Sequence, residues 1–137
     1  MIPILEWNDS FNTGVSIVDT QHQGLFDLRN ELASAILIEE TTTVISTLTK
    51  MFNYADLHFK TEEKFLKEHS EFDIHKKKHG DFLIKTQVFT RDLFKDKETA
   101  SSIIQISVLD FLTDWLGTHV LKYDKKVFEQ LFERGLL

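Results

Sequence analysis

Residues 44–65 read Val44-Ile45-Ser46-Thr47-Leu48-Thr49-Lys50-Met51-Phe52-Asn53-Tyr54-Ala55-Asp56-Leu57-His58-Phe59-Lys60-Thr61-Glu62-Glu63-Lys64-Phe65. Within them Val44, Leu48, Met51, Ala55, His58, Glu62 and Phe65 follow at alternating steps of four and three. That spacing keeps the seven side chains on one face of an α-helix, so the stretch reads as an amphipathic helix. Its buried face carries an imidazole and a carboxylate among apolar residues. The Thr41-Thr42-Thr43 run ahead of it offers N-caps.

Outward in both directions the same period recurs. A first helix is expected to start near Asp19 or Thr20 and to run to about Ile38, with His22, Phe26, Arg29, Ala33 and Ile36 along one stripe and Leu25, Leu28 and Leu32 beside it. A third repeats the pattern in Phe72, His75, His79, Phe82, Thr86, Phe89 and Leu93. A fourth, capped near Thr99 or Ser101, continues it in Ile104, Val108, Phe111, Trp115 and His119. Residues 1 to about 17, with the turn-like Asn12-Thr13-Gly14, lack a period and read as an irregular arm. A last amphipathic segment, about Lys125 to Arg134, is expected to pack across one end. The only proline is Pro3, and no glycine-rich or low-complexity linker interrupts the chain. Four helices of about 20 residues joined by short connections make an all-α, up-down-up-down four-helix bundle.

Bulk composition sets limits on function. At 137 residues the chain is expected to be one domain, 1–137, long enough to bury about two-thirds of the surface its unfolded form exposes. Hydrophobic residues make up 42% and charged residues 28%, the balance of a soluble globular protein. The net charge of −6 argues against nucleic acid and anionic membrane as partners, since both reward basic surfaces. Lys76-Lys77-Lys78, the one basic cluster, reads as a solvated helix face. With no cysteine, disulfides, zinc knuckles, iron–sulfur clusters and thiol nucleophiles are excluded. The N-terminus meets Glu6 before any long apolar run and has no basic n-region, so no signal peptide is read there, and no stretch approaches membrane-spanning length. The expected location is cytoplasmic.

The chemistry lies in where the ligand-type residues fall. His58, Glu62, His75, His79 and His119 occupy core positions of the predicted helices; with His22 and Asp124 they form a set of five imidazoles and two carboxylates. A buried imidazole or carboxylate without a partner costs about several kcal/mol, so the set would ruin a small domain unless something satisfied its members together. Metal ions do so. Imidazole and carboxylate suit iron, manganese and zinc, and seven such ligands exceed what one ion uses, so two ions are implied. The five-residue step from His119 to Asp124 does not keep both on one face of a straight α-helix; the fourth helix is expected to end or distort there. His69, in the polar Glu68-His69-Ser70-Glu71 connection, reads as solvated. Tyr123 adjoins Asp124.

These same residues carry a resemblance. Trp7, Asp19-x-x-His22-x-x-Leu25-Phe26, His58-Phe59-x-x-Glu62, His75-x-x-x-His79 and Trp115-Leu116-x-x-His119-x-x-x-x-Asp124 make nearly the whole chain similar to the hemerythrins, and most of all to single-domain bacteriohemerythrins. The resemblance implies two non-haem iron ions with an oxo or hydroxo bridge. It assigns His75, His79 and His119 to one iron, His22 and His58 to the other, and Glu62 and Asp124 as bridges between them. Two irons of about six coordination positions each would then keep about one position open. On the two-histidine iron, by resemblance, that position takes dioxygen reversibly. One electron would pass from each iron and the bridging hydroxide would surrender its proton, so the buried site would keep its formal charge. Reversal also needs a dry pocket, for which the resemblance points to Phe59, Trp115, Leu116 and Val120. The implied role is an oxygen carrier, storage or delivery protein and not an enzyme.

Other functions share parts of this pattern. A ferritin-like di-iron oxidase would show Glu-x-x-His pairs and more carboxylates. An oxygen or redox sensor would usually carry the domain fused to a signalling module, and iron–sulfur repair relatives use a different ligand set. A structural zinc bundle would not need seven ligands.

Overall fold

A computed structural model describes residues 2–95 and 102–137. Five α-helices account for most of them: α1 Ser16–Leu37, α2 Thr41–Leu66, α3 Phe72–Lys95, α4 Ser102–Thr118 and α5 Lys125–Glu133. α1 packs on α2 and α4, and α3 packs on α2 and α4, which closes a four-helix ring. Between α4 and α5 the chain stays helical but widens into a π-helical stretch, His119–Asp124. The distortion expected from the His119-to-Asp124 step is therefore there, with helix continuing beyond it.

Several helix ends differ from expectation, each for a local reason. α1 begins at Ser16, about a turn before Asp19. Asp19 does not cap the helix; its carboxylate accepts from the Thr13 amide (2.7 Å), the Thr13 hydroxyl (2.8 Å) and the Gly14 amide (3.2 Å), so it ties down the preceding turn instead. Gly14 makes that turn with φ 91°, a conformation open to glycine at little cost. At α2 the N-cap is Glu40, and Thr41–Thr43 lie inside the first turn, with the Thr43 hydroxyl donating to Glu40 Oε2 at 2.9 Å. The cap positions expected at Thr99 and Ser101 lie outside the described residues. The α1–α2 connection turns through Glu39 at φ 57°, where a side chain costs about 1–2 kcal/mol relative to glycine.

The arm is more ordered than its lack of period implies. Asn30 Oδ1 accepts from the Leu5 amide (2.9 Å) and its Nδ2 donates to the Leu5 carbonyl (3.0 Å). The buried Arg29 guanidinium donates to Pro3 O (2.8 Å), Asn30 Oδ1 (2.8 Å) and Thr113 Oγ1 (2.9 Å). This clamp holds Trp7 against Phe11 and Phe26, with ring centroids 5.2 and 5.1 Å apart, and 6.3 Å from the His22 ring. A 3₁₀ turn at Asp9–Phe11 completes the arm.

The expected stripes of α1, α2 and α3 face the core, with Leu28, Phe65, Phe72 and Phe89 only half-buried. α4 is rotated from its expected stripe: Leu109, Leu112 and Leu116 are buried beside Val108, while Ile104, Phe111 and Trp115 are half-buried. Apolar residues line more than one face of this helix, so periodicity alone did not select the inner one. α5 buries Val127, Phe128 and Leu131 against Val18 and Leu66, forming a second small core at one end, as expected. His69 departs from expectation. It is buried, its Nε2 lies 2.7 Å from Gln130 Oε1, and its Nδ1 accepts from the Glu71 amide at 3.0 Å. An imidazole read as solvated thus joins the α2–α3 connection to α5, because a distant helix covers it.

Candidate metal centre

All seven ligand-type side chains meet at one buried point between the helices. His22 comes from α1, His58 and Glu62 from α2, His75 and His79 from α3, and His119 and Asp124 from the π-helical stretch. The wider winding carries Asp124 back to the face that His119 occupies. The seven form two overlapping groups suited to a cation, Glu62/His75/His79/His119/Asp124 and His22/His58/Glu62/Asp124, and the two carboxylates belong to both.

Each carboxylate divides its oxygens between the groups. Glu62 Oε2 lies 2.9 Å from His22 Nε2 and 3.3 Å from His58 Nε2, whereas Oε1 lies 3.2 Å from His79 Nε2 and 3.8 Å from His75 Nε2. Asp124 Oδ2 lies 3.0 Å from His22 Nε2, whereas Oδ1 lies 2.6 Å from His75 Nε2 and 2.9 Å from His119 Nε2. Only part of this proximity is hydrogen bonding, as between His22 Nε2 and Glu62 Oε2. His22 Nδ1, His75 Nε2, Glu62 Oε1 and Asp124 Oδ1 are buried with no hydrogen-bond partner, although His75 Nε2 and Asp124 Oδ1 are 2.6 Å apart. Buried polar atoms without partners are rare, and lone pairs that converge without bonding one another are what cations satisfy. The donor set fits a pair of iron-type ions.

A family model for the hemerythrin HHE cation binding domain matches residues 13–131. The chain belongs to the hemerythrin family. Among curated relatives, the bacteriohemerythrin of Clostridium acetobutylicum is 25% identical over 130 residues, covering 90% of this chain and 98% of its own. That of Methylococcus capsulatus is 29% identical over 125 residues, covering 89% and 92%. A solved hemerythrin carrying a leucine-to-tyrosine substitution superposes with a TM-score of 0.75 at 22% identity, over 90% of this chain and 94% of its own, and shares the fold. Hemerythrins are di-iron, oxygen-binding proteins rather than enzymes.

Two outer residues that the sequence reading did not single out orient the imidazoles of this hemerythrin-family site. Gln21 Oε1 lies 2.8 Å from His58 Nδ1, and Gln21 Nε2 donates to Thr61 Oγ1 at 3.4 Å. Glu63 Oε2 lies 2.9 Å from His79 Nδ1. Both contacts put the proton on Nδ1 and leave the Nε2 lone pair facing the centre. The only available sequence signal was their adjacency to His22 and Glu62. Glu63→Ala is expected to release bound Zn²⁺ to a chelator about 10–100-fold faster, and Glu63→Gln, which keeps an acceptor, to recover part of this. Equal release rates in all three proteins would rule out the orienting role.

The apolar residues expected around the centre are close to it. The Phe59 ring stacks on His79 (3.9 Å between centroids, 6° between planes) and lies 5.7 Å from His58. The Trp115 ring stacks on His119 (4.1 Å, 9°) and lies 5.6 Å from Phe59. Leu116 and Val120 are buried in the same core cluster.

Without metal, the imidazoles and carboxylates hold one another's charge. Burial alone would lower the His22 pKa, but hydrogen bonds to Asp124 and Glu62, with their charges, outweigh it and push the value up to about 10. At His75, too, burial would lower the value, but the neighbouring Asp124 and Glu62 carboxylates outweigh it and raise it to about 9. Burial and the neighbouring carboxylate would raise Asp124, and burial would raise Glu62, but the surrounding histidines hold both acids well below their ordinary range. The sign follows for the metal-free protein. The histidine contribution to stability is full below the ordinary value of 6.5 and is lost as pH rises through 9 to 10. The carboxylate contribution is present above the ordinary values of 4.5 and 3.8 and is lost as pH falls below them. The melting temperature of metal-free protein is therefore expected to peak between about pH 5 and 6.5 and to fall toward pH 10. Zn²⁺ loading at pH 7 should release at least about two protons, from His22 and His75, with His79, which Glu62 and Glu63 also raise against burial, adding to the number. Calorimetry in buffers of different ionisation enthalpy measures that number, and a value near zero would refute the charged-histidine state.

Proposed function

We propose that this chain holds two iron ions and binds dioxygen reversibly, as an oxygen carrier, storage or delivery protein. His75, His79 and His119 hold one ion, His22 and His58 the other, and Glu62 and Asp124 bridge them. The observation that carries the reading is the division of both carboxylates, one oxygen toward each histidine group. When bound, the iron pair would supply reversible dioxygen binding.

The chain's own residues do the rest. Glu62 and Asp124 bring two negative charges into a buried site, which offsets the cost of placing cations there. Gln21 and Glu63 fix the faces that His58 and His79 present. Phe59, Trp115, Leu116 and Val120 keep water and protons away, which favours release of dioxygen over its reduction. No helix among the described residues is long and apolar enough to cross a membrane, and the reading places the carrier in the cytoplasm, to be checked by cell fractionation.

The test is iron analysis with visible spectra of the reduced protein, taken before air, in air and after degassing. About two irons per chain and a band that appears with air and vanishes on degassing are expected. Iron content well short of two would overturn the di-iron assignment. A colour change that does not return would overturn the carrier role and favour sensing or oxidation chemistry.

A further inference from the structure

The three-histidine side of the centre borders two surface clefts, a narrow one lined by His75 and a wider one lined by His119 and Trp115. The wider cleft, of about 230 Å³ between α3 and the α4–π segment, is lined by Lys78, Asp81, Trp115, Thr118, His119 and Tyr123. Trp115 is half-buried, borders this cleft, and stacks face to face on His119, whose Nε2 lies 2.9 Å from Asp124 Oδ1. A continuous π contact thus runs from the cleft to a side chain at the centre. On the other side of the centre Trp7 and the clamped arm lie near His22.

The rim of the cleft is basic in a chain whose net charge is −6. Lys78 places its ammonium 4.2 Å from the Tyr123 ring centroid and Lys122 5.9 Å from it, and among the described residues neither has a carboxylate within ion-pair distance. Asp81 is paired with Lys77 at 2.9 Å, so its charge is largely offset. Two uncompensated lysines beside a half-buried tryptophan make a small basic surface that attracts acidic proteins.

We infer that the Trp115 cleft docks an acidic one-electron carrier protein, which reduces the oxidised iron pair through Trp115 and His119. The inference rests on the di-iron reading above. Two encounters are needed. In each, the carrier loses one electron and one ferric ion becomes ferrous, and after the second the bridging oxo group takes one proton from water.

The experiment follows reduction of the air-oxidised, iron-loaded protein by reduced flavodoxin, an acidic one-electron donor, and by dithionite, a small one. Lys78→Glu/Lys122→Glu is expected to slow the flavodoxin reaction about tenfold or more at low salt relative to Lys50→Glu/Lys60→Glu, which makes the same charge change on α2. Dithionite rates should differ little between these two variants, and dioxygen release should match wild type in both. At saturating flavodoxin, Trp115→Leu should slow electron transfer about tenfold or more, and Trp115→Phe less. Equal flavodoxin rates in the two lysine variants overturn the docking site. A Trp115→Leu rate equal to wild type overturns the route. If that variant does not retain iron, Trp115→Phe against wild type decides. Independently of iron, zinc-loaded protein titrated with flavodoxin should show chemical-shift changes at the Trp115 indole that vanish at high salt, and their absence would also overturn docking. Iron content on the same samples separates these outcomes from failure of the di-iron reading.

Discussion

Replacing Glu62 with alanine is expected to abolish the paired metal site. Glu62 is fully buried, and its two oxygens lie within 3.8 Å of four imidazole nitrogens, those of His22, His58, His75 and His79. No other side chain except Asp124 belongs to both ligand groups, so the loss strikes both ions at once. Outer-shell losses alone cost about 10–100-fold in metal affinity, so removing a shared ligand should cost at least about a hundredfold for each ion. Iron analysis after gel filtration should find well under two irons per chain. The stabilisation that Fe²⁺ or Zn²⁺ confers on wild type in thermal melts should largely disappear. Glu62→Gln keeps the shape while losing the charge, and should fall close to Glu62→Ala if charge and bidentate reach are what the site needs. A Glu62→Ala protein that still carries two irons would refute the bridging assignment. In metal-free protein the same change removes a partner that holds His22 and His75 protonated, so the fall of stability toward high pH should become shallower.

Phe82→Ala should produce the largest loss of fold stability. Phe82 is almost wholly buried in the main core, with its ring 4.4 Å from Trp115, 5.5 Å from Phe59 and 5.8 Å from Phe111. Truncating such a phenylalanine costs about 3–5 kcal/mol, from lost transfer energy together with the cavity left behind. Against a domain stability of about 5–15 kcal/mol this is a large fraction. Urea unfolding of the metal-free protein measures it, with the exposed Leu136→Ala as a control expected within about 0.5 kcal/mol of wild type. A second consequence concerns the centre. Phe59 and Trp115 stack on His79 and His119, and both rings rest against Phe82, so iron should leave the variant faster even in the absence of denaturant. A loss below about 1.5 kcal/mol with unchanged iron release would mean that the core closes over the gap and that the rings do not depend on this support.

Much of the fold was legible because a helix writes its buried face into the chain at steps of three and four. α2 shows this best: Val44, Leu48, Met51, Ala55, His58 and Glu62 are all buried in the order their spacing predicts. α4 shows the limit. Apolar side chains surround much of it, so the choice of Leu109, Leu112 and Leu116 as its inner face was made by α1 and α3 packing on it. Helix starts were less legible, because Asp19 and Thr41–Thr43 have the chemistry of caps but spend it within the first turn or on a neighbouring one. His69 was misread because its partner, Gln130, lies 61 residues away.

The amino-acid order alone determined that five histidines, a glutamate and an aspartate would share the interior of a helical bundle, since periodicity places them among core residues and burial demands a common partner. It also determined that the fourth helix would end or distort between His119 and Asp124, since a five-residue step fits no single face of a regular α-helix. Only the tertiary structure decided which carboxylate oxygen meets which imidazole, that Gln21 and Glu63 stand behind His58 and His79, and that Trp115 joins His119 to the surface. Those contacts join residues on different helices, and their geometry depends on how the helices cross and rotate against one another, which spacing along one chain segment does not encode.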